Sequence, residues 1–501
     1  VNPDETRPTS ARKRRGPDLT NGPIAPTLLL FMLPVLGSNI LQSLNGSANA
    51  FWVSHALGEV ALTATSNANQ ILFLMMGAVF GIAMAANIMI GQAVGAKDQV
   101  LVKRVVGTCT VFFIALSVSV AVLGGIMTPA ILDAMRTPAD ARADAIAYLR
   151  VIFAAMPFIY FFFFVMMAQR GGGDSRTPFY FALLQVGLDI VLNPLLINGV
   201  GPFPRLGIAG SATSTMISQG VALSVLLVHL YRRRSPLVIH PRDWRQLIPD
   251  LGILRALILK GTPMGLQMII VSLAAVTMLS AVNRFGSHTA AAYGAASQLW
   301  VYVQMPAMAL GAGASAMAAQ NVGAGRMDRV DRMAWIGAGY AIAFTLGPVL
   351  GILAAERYVL RAFLPAGSPS LAIAQHMNLF ILWSFIPFGV AFIFSGAVRA
   401  TGVVWRPLMF MALALWGVRV PFAYALMPIM GADAVWLSFP LGSFFMLIFA
   451  LAFYRYGDWR KSRILNVSPH GDVQDVALSP PSGVEETEAA AEAAGIRRSP
   501  A

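Results

Sequence analysis

The sequence predicts an all-α polytopic membrane protein, about twelve transmembrane helices in two six-helix lobes related by a parallel internal repeat. Three observations predict it: long apolar runs, basic residues collected on one side of those runs, and a half-length repeat.

The apolar runs come first. Of 501 residues, 57% are hydrophobic and 12% charged, with a mean hydropathy of +0.66. Soluble domains carry about a quarter charged residues. Runs of about twenty or more apolar residues recur from Leu28 to Tyr454, the length that crosses about 30 Å of hydrocarbon at 1.5 Å per residue. They lack the short-period alternation of an outer-membrane barrel strand.

The charge is second. The net charge of +13 raises nucleic acid as a partner, but its placement excludes it. "GAKDQVLVKR", "RGGGDSRTP", "YRRRSPLVIHPRDWR", "GAGRMDRVDR", "RATGVVWRP" and both terminal segments fall on one side of the runs. The opposite loops, such as "SHALGE", "NRFGSH" and "MPIMGAD", are short and nearly free of lysine and arginine. About two dozen basic residues face about six, a bias that places both termini in the cytoplasm and the chain in an inner (plasma) membrane.

The repeat is third. "GQAVGAKDQVLVKR" from Gly91 matches "AQNVGAGRMDRVDR" from Ala319, with Gln92 and Gln320 228 apart (320 − 92). Arg170 and Arg399, Pro178 and Pro407, and Pro34 and Pro263 are each 229 apart (399 − 170, 407 − 178, 263 − 34). Register kept across several loops marks a real duplication. Six spans per half, an even number, make the halves parallel, related by an axis along the membrane normal, and suited to rocking about a central cleft. The expected organisation is a basic N-terminal tail at 1–23, an N-terminal lobe at 24–231, a basic linker at 232–255, a C-terminal lobe at 256–455 and a cytoplasmic, disordered tail at 456–501. The tail's "VEETEAAAEAAG" is acidic, alanine-rich and poor in large apolar residues. The opening segment does not read as a cleaved signal.

Several chemistries are excluded. Cys109 is the single cysteine, so no intramolecular disulfide or thiolate metal site is available, and it reads as a small buried thiol. No metal-ligand spacing, nucleophile motif or Walker spacing occurs, which argues against an enzyme and against ATP-driven transport.

The polar residues inside the spans carry the functional argument. Gln185, Asp189 and Asn193 in "QVGLDIVLNPLLI" are spaced i, i+4, i+8 and share one helix face. Asp189 falls about 16 Å into its span, near the midplane. Ser38, Gln42, Asn45 and Asn49 form a matching stripe in span 1, span 2 adds Asn67 and Gln70, and span 6 adds Ser211, Thr215 and Ser218. A charged group at the bilayer centre costs about 2.5–3.5 kcal/mol on insertion scales, and taking up a proton removes that charge. Asp189 is therefore the expected ion-coupling group, with Asn45, Asn49, Asn193 and Gln70 shaping and hydrating it. A permanently bonded structural aspartate is the alternative. Arg419 in "LWGVRVPFAY" is the other deep charge: a gate that pairs with Asp189 across the cleft, or a structural charge that caps carbonyls freed by Pro421 or steadies its own bundle. Pro157 and Pro387 stand at near-equivalent positions and are expected to permit bending. Gln267, Gln298, Tyr302 and Trp383 are candidate cargo contacts, since aromatic faces hold flat cations.

The order and spacing of "FWVSHALGEVALTA", "GQAVGA", "RGGGDSRTP", "DIVLNPLLI", "LGIAGSATSTMISQ", "NRFGSHTAAAYG", "AQNVGAG" and "RATG" resemble the multidrug and toxic compound extrusion (MATE) family over roughly residues 24 to 455. The resemblance implies a twelve-helix antiporter that exports hydrophobic, often cationic, compounds against a proton or sodium gradient. Its departures are specific. Asn49 stands where the family usually has a coupling aspartate, Asp189 precedes Asn193 where the usual order is reversed, and spans 7 and 10 contain no acid, leaving one carboxylate of the usual cluster. The resulting expectation is a monomeric, proton-coupled (alternatively sodium-coupled) exporter of cationic or amphipathic small molecules, embedded in lipid, with no cofactor, no metal and no nucleic-acid partner. A lipid-linked saccharide flippase of the same wider superfamily is the nearer rival, and a non-transporting membrane protein the farther one.

Overall fold

A computed structural model describes residues 19–135, 137–361, 363–365 and 367–464. Twelve helices cross it: α1 Ile24–Leu57, α2 Glu59–Gly95, α3 Gln99–Ala134, α4 Ala139–Gly171, α5 Arg176–Asn198, α6 Ile208–Arg232, α7 Leu251–Asn283, α8 Ser287–Gly323, α9 Met327–Leu360, α10 Pro369–Arg399, α11 Trp405–Met430 and α12 Asp433–Tyr456. No strand occurs among the described residues. The tails expected at 1–23 and 456–501 lie mostly outside the described residues.

The repeat has a direct structural counterpart. α2 and α8 are both 37 residues long, and both their ends are offset by 228 positions (287 − 59 and 323 − 95). Eleven of the twelve helices are long and apolar enough to cross a membrane. The exception is α8, whose sequence is rich in alanine, glycine and glutamine. It packs against α1, α2, α9 and α10; a helix enclosed by other helices does not need an apolar surface for lipid.

Capping and proline chemistry mark the helix boundaries. Asp98 accepts from the Leu101 amide to start α3, and Asp250 accepts from the Gly252 and Ile253 amides to start α7, satisfying N–H groups that have no partner within the helix. α7 thus begins at Leu251, inside the segment expected as linker. α10 tightens into a 3-10 turn at Leu382–Ser384, where Pro387 cannot donate to the carbonyl four residues earlier. α11 widens into a π turn at Leu413–Arg419, just before Pro421.

The lobes are joined at the end of the bundle that carries the basic loops. Gln92 donates to the Ala400 carbonyl across the lobes at 2.7 Å, and its repeat equivalent Gln320 donates to the Gly171 carbonyl at 2.8 Å. A Cβ at Gly95 would overlap the Gln320 carbonyl, and one at Gly323 would overlap the Gln92 carbonyl. Only glycine permits this crossing of α2 and α8. The segments outside the helices close the same seam. The Leu19 carbonyl accepts from Asn321 at 2.9 Å and the Thr20 carbonyl from Arg326 at 2.6 Å, while the Ile464 amide donates to Gln92 Oε1 at 3.3 Å. Leu19 and Ile464 are each 1% exposed.

The Pro241–Leu247 turn of the linker is fastened to α3 by ion pairs of Lys103 with Asp243 (2.7 Å) and, just beyond it, of Arg104 with Asp250. The Lys103 ammonium holds the Asp243 carboxyl below the usual carboxylate range.

Candidate functional site

The N-terminal lobe gathers polar side chains around one carboxylate. On α5, Gln185, Asp189 and Asn193 are buried, at 1%, 1% and 2% exposure. Asp189 is 13 residues into the 23-residue helix (189 − 176). It therefore lies slightly past the middle, away from the basic end.

α1 runs beside α5 in register. Asn45 Nδ2 donates to Asp189 Oδ2 at 3.0 Å, and one turn on Asn193 Nδ2 donates to Asn49 Oδ1 at 3.2 Å. α6 closes the third side. Ser214 donates to Asp189 Oδ1 at 2.6 Å, Thr215 lies 3.4 Å from both carboxylate oxygens, and Ser211 donates to Asn49 Oδ1 at 2.6 Å. The buried Tyr148 hydroxyl of α4 adjoins Asn49.

Two features of this cluster are chemical rather than architectural. The groups around the carboxylate are neutral amides and hydroxyls, and among the described residues no ion pair includes Asp189. The face also carries unspent acceptors: Gln185 Oε1 and Asn193 Oδ1, one turn to either side, have no hydrogen-bond partner. A carboxylate flanked by spare oxygens is arranged to receive a proton or a small cation.

The other expected residues divide. Asn45, Asn49 and Asn193 converge with Asp189, whereas Gln70 is exposed and makes no hydrogen bond to the cluster. Gln42 is exposed, Ser38 donates to the Pro34 carbonyl, and the side chain of Asn67 lies outside the described residues. Gln298, Tyr302 and Trp383 are exposed, while Gln267 is buried and accepts from Arg399. Arg419 neither pairs with Asp189 nor caps the carbonyls freed by Pro421. Its guanidinium lies 3.4 Å from the Phe439 ring centroid within its own lobe, a cation–π contact. The gate is thus unformed in this conformation, and stacking replaces carbonyl capping.

Three sites were missed. Ser214 completes an i, i+3, i+4, i+7 stripe with Ser211, Thr215 and Ser218, a spacing that exposes it in retrospect. Glu356 on α9 is a second buried carboxylate, apart from spans 1, 5, 7 and 10 where the family's acids were sought. It is 7% exposed and accepts from Asn378 at 2.8 Å, and Asn378 in turn accepts from the Trp300 indole at 2.9 Å. Its sequence context, "AAERYV", reads as the polar end of a span. Arg399, expected in a basic loop, is 3% exposed and points inward to Gln267. Arg419 is therefore not the sole deep arginine of the C-terminal lobe.

Comparison with known proteins adds independent information. A family model described as MatE matches residues 34–195 and again residues 263–425. A Bacillus subtilis (strain 168) protein described as probable multidrug resistance protein YoeA is 38% identical over 445 residues, covering 87% of this chain and 95% of that protein. A Shewanella oneidensis protein described as an FAD transporter is 26% identical over 395 residues, covering 76% of this chain and 83% of its own. Among solved structures, a crystal structure of MATE in the bent conformation superposes with a TM-score of 0.80 at 20% identity, covering 87% of this chain and 96% of that one. At that identity the likeness is one of fold.

Proposed function

The chain belongs to the MatE family, and from that premise we propose that it is a multidrug efflux antiporter that exchanges hydrophobic, cationic compounds for protons by alternating access. The observation that carries the coupling proposal is Asp189: a carboxylate 1% exposed, inside a spanning helix, with neutral donors on both oxygens and no basic partner among the described residues. Without a fixed counter-charge, its charge is cancelled by a proton from one side and by a cationic cargo from the other, and that exchange is antiport.

The basic end lies in the cytoplasm of an inner membrane, following the positive-inside bias. The protein acts as a monomer. The lobes meet at that end through the reciprocal Gln92 and Gln320 bonds, which supports assigning this conformation as the one closed toward the cytoplasm. The relatives' described roles, multidrug resistance and FAD transport, support a small-molecule cargo with a large flat or apolar portion.

Sodium is the second reading, favoured by the unpartnered oxygens of Gln185 and Asn193 beside the carboxylate, since sodium binds several oxygens at once. The deciding experiment uses purified protein in liposomes loaded with a fluorescent cationic dye, under a proton gradient and separately a sodium gradient. Dye movement driven by the proton gradient alone supports the first reading. Movement driven only by sodium replaces it with the second.

A further inference from the structure

The C-terminal lobe has a polar cluster of opposite sign. Arg399, the last residue of α10, is 3% exposed. A guanidinium carries five donors. Among the described residues Arg399 makes one hydrogen bond, Nη1 to Gln267 Oε1 at 3.5 Å, and its Cζ lies 5.0 Å from the Phe392 ring centroid. Among the described residues no carboxylate reaches it.

Two further groups around it are unspent. Gln267 Nε2 on α7 and Ser315 Oγ on α8 have no hydrogen-bond partner, in side chains 8% and 0% exposed. The bond from Arg399 to Gln267 Oε1 fixes which end of that amide is left as a donor. Gly396 sits between the arginine and the serine. The position of a Cβ there lies 3.4 Å from the Gly311 carbonyl oxygen, 3.8 Å from Arg399 Nη2 and 3.9 Å from Ser315 Cβ.

A structural role covers part of this. An arginine in the last turn of a helix is favoured by the dipole, and the Phe392 face adds a cation–π contact. Neither accounts for neutral donors from two other helices left unpaired beside a buried cation, since buried polar groups are normally satisfied. A cation with idle neutral donors around it is the complement of an oxyanion.

We propose that Arg399, Gln267 and Ser315 form an oxyanion-receptive subsite that takes the carboxylate or phosphate of an otherwise hydrophobic cargo. The subsite deepens the transporter reading and rests on it for the identity of the ligand as cargo. Binding is independent of coupling, so the two fail separately. With Asp189 in the other lobe, the chain is then suited to cargo that carries both signs of charge.

The test measures binding to the full-length protein in detergent by fluorescence polarisation, with rhodamine B, which has a free carboxylate, and with its ethyl ester. The wild type is expected to bind the acid roughly tenfold or more tighter than the ester, the factor for a hydrogen-bonded charged group. Arg399→Gln and Gln267→Met are each expected to lower affinity for the acid and leave the ester unchanged, which also shows that the variants are folded. Inorganic phosphate that displaces the acid but not the ester identifies a free anion as an alternative source of the same chemistry. Failure of phosphate to displace it confines the subsite to the cargo's own anion. Equal affinity of the wild type for acid and ester overturns the proposal without recourse to any variant, as does an unchanged acid-to-ester ratio in both variants.

Discussion

Replacing Gly95 by alanine puts a methyl group where the Gln320 carbonyl already stands, well inside 3.0 Å. Neither backbone can yield cheaply, because Gln320 also anchors the Gly171 carbonyl. Gly95 has no left-handed φ, so alanine adds no backbone strain and the clash is the whole effect. Overpacking of this kind costs about 1–3 kcal/mol. The clash exists only while α2 and α8 cross, so under the proposed alternating access its cost falls on the closed state alone. The ratio of closed to open protein should fall about 5- to 150-fold, at tenfold per ~1.4 kcal/mol. The assay uses the buried Cys109, the single native cysteine, replaced by alanine, and a reporter Ala93→Cys at a site 0% exposed beside the seam. Labelling by a membrane-impermeant maleimide from the basic side should accelerate in proportion to the open population. Gly339→Ala, where a Cβ meets nothing within 4 Å, is the silent control. Labelling of Gly95→Ala at the control rate would refute the claim that this crossing is the closed gate.

Other perturbations test separate parts of the account. Asn45→Leu removes the 3.0 Å donor to Asp189 Oδ2 and should slow gradient-driven export roughly tenfold or more, the scale of a hydrogen bond to a charged group; an unchanged rate counts against Asn45 as a coupling residue. Asn378→Leu strands both the Glu356 carboxylate and the Trp300 indole, at about 1–3 kcal/mol for each buried group left unpaired. Thermal unfolding in detergent should shift down by several degrees, and no shift would mean water already serves these groups. At the linker, the Asp243 carboxyl is held low by Lys103. Its contribution is fully present above the ordinary aspartate value of about 3.9 and is lost as pH falls through the lower folded value. Protease nicking of the linker should therefore stay constant between about pH 5 and 8 and rise in Lys103→Ala; a rise at neutral pH in wild type contradicts that pairing.

Much of the helical frame was legible because its causes are local. Twenty-residue apolar runs, basic loops gathered on one side, and Gln92 and Gln320 kept 228 positions apart (320 − 92) can all be read along the chain itself. The Asp189 face was legible for the same reason, since Gln185, Asp189 and Asn193 share a helix face at any packing, and Asn45 and Asn49 show a matching stripe. Tertiary packing decided the rest. Gln70 looks like its polar neighbours in the sequence, but the rotation of α2 leaves it exposed. Glu356 and Arg399 stand near helix ends, where charge is ordinarily solvated. Only the inward approach of Asn378 and Gln267 from other helices makes them interior groups. Arg419 is deep by sequence depth alone, yet its partner is the Phe439 ring, a contact between helices that no spacing encodes.

The central claim is that Asp189 carries the coupling charge. Asp189→Asn retains the shape and one of the two acceptor oxygens that Asn45 and Ser214 address while removing the charge, so its export in proton-loaded liposomes should be set beside equilibrium dye binding to the same protein. The account predicts that dye is still bound and that proton-driven export is lost. Export at the wild-type rate by Asp189→Asn would contradict it, leaving the aspartate as a structural strut and the coupling charge elsewhere.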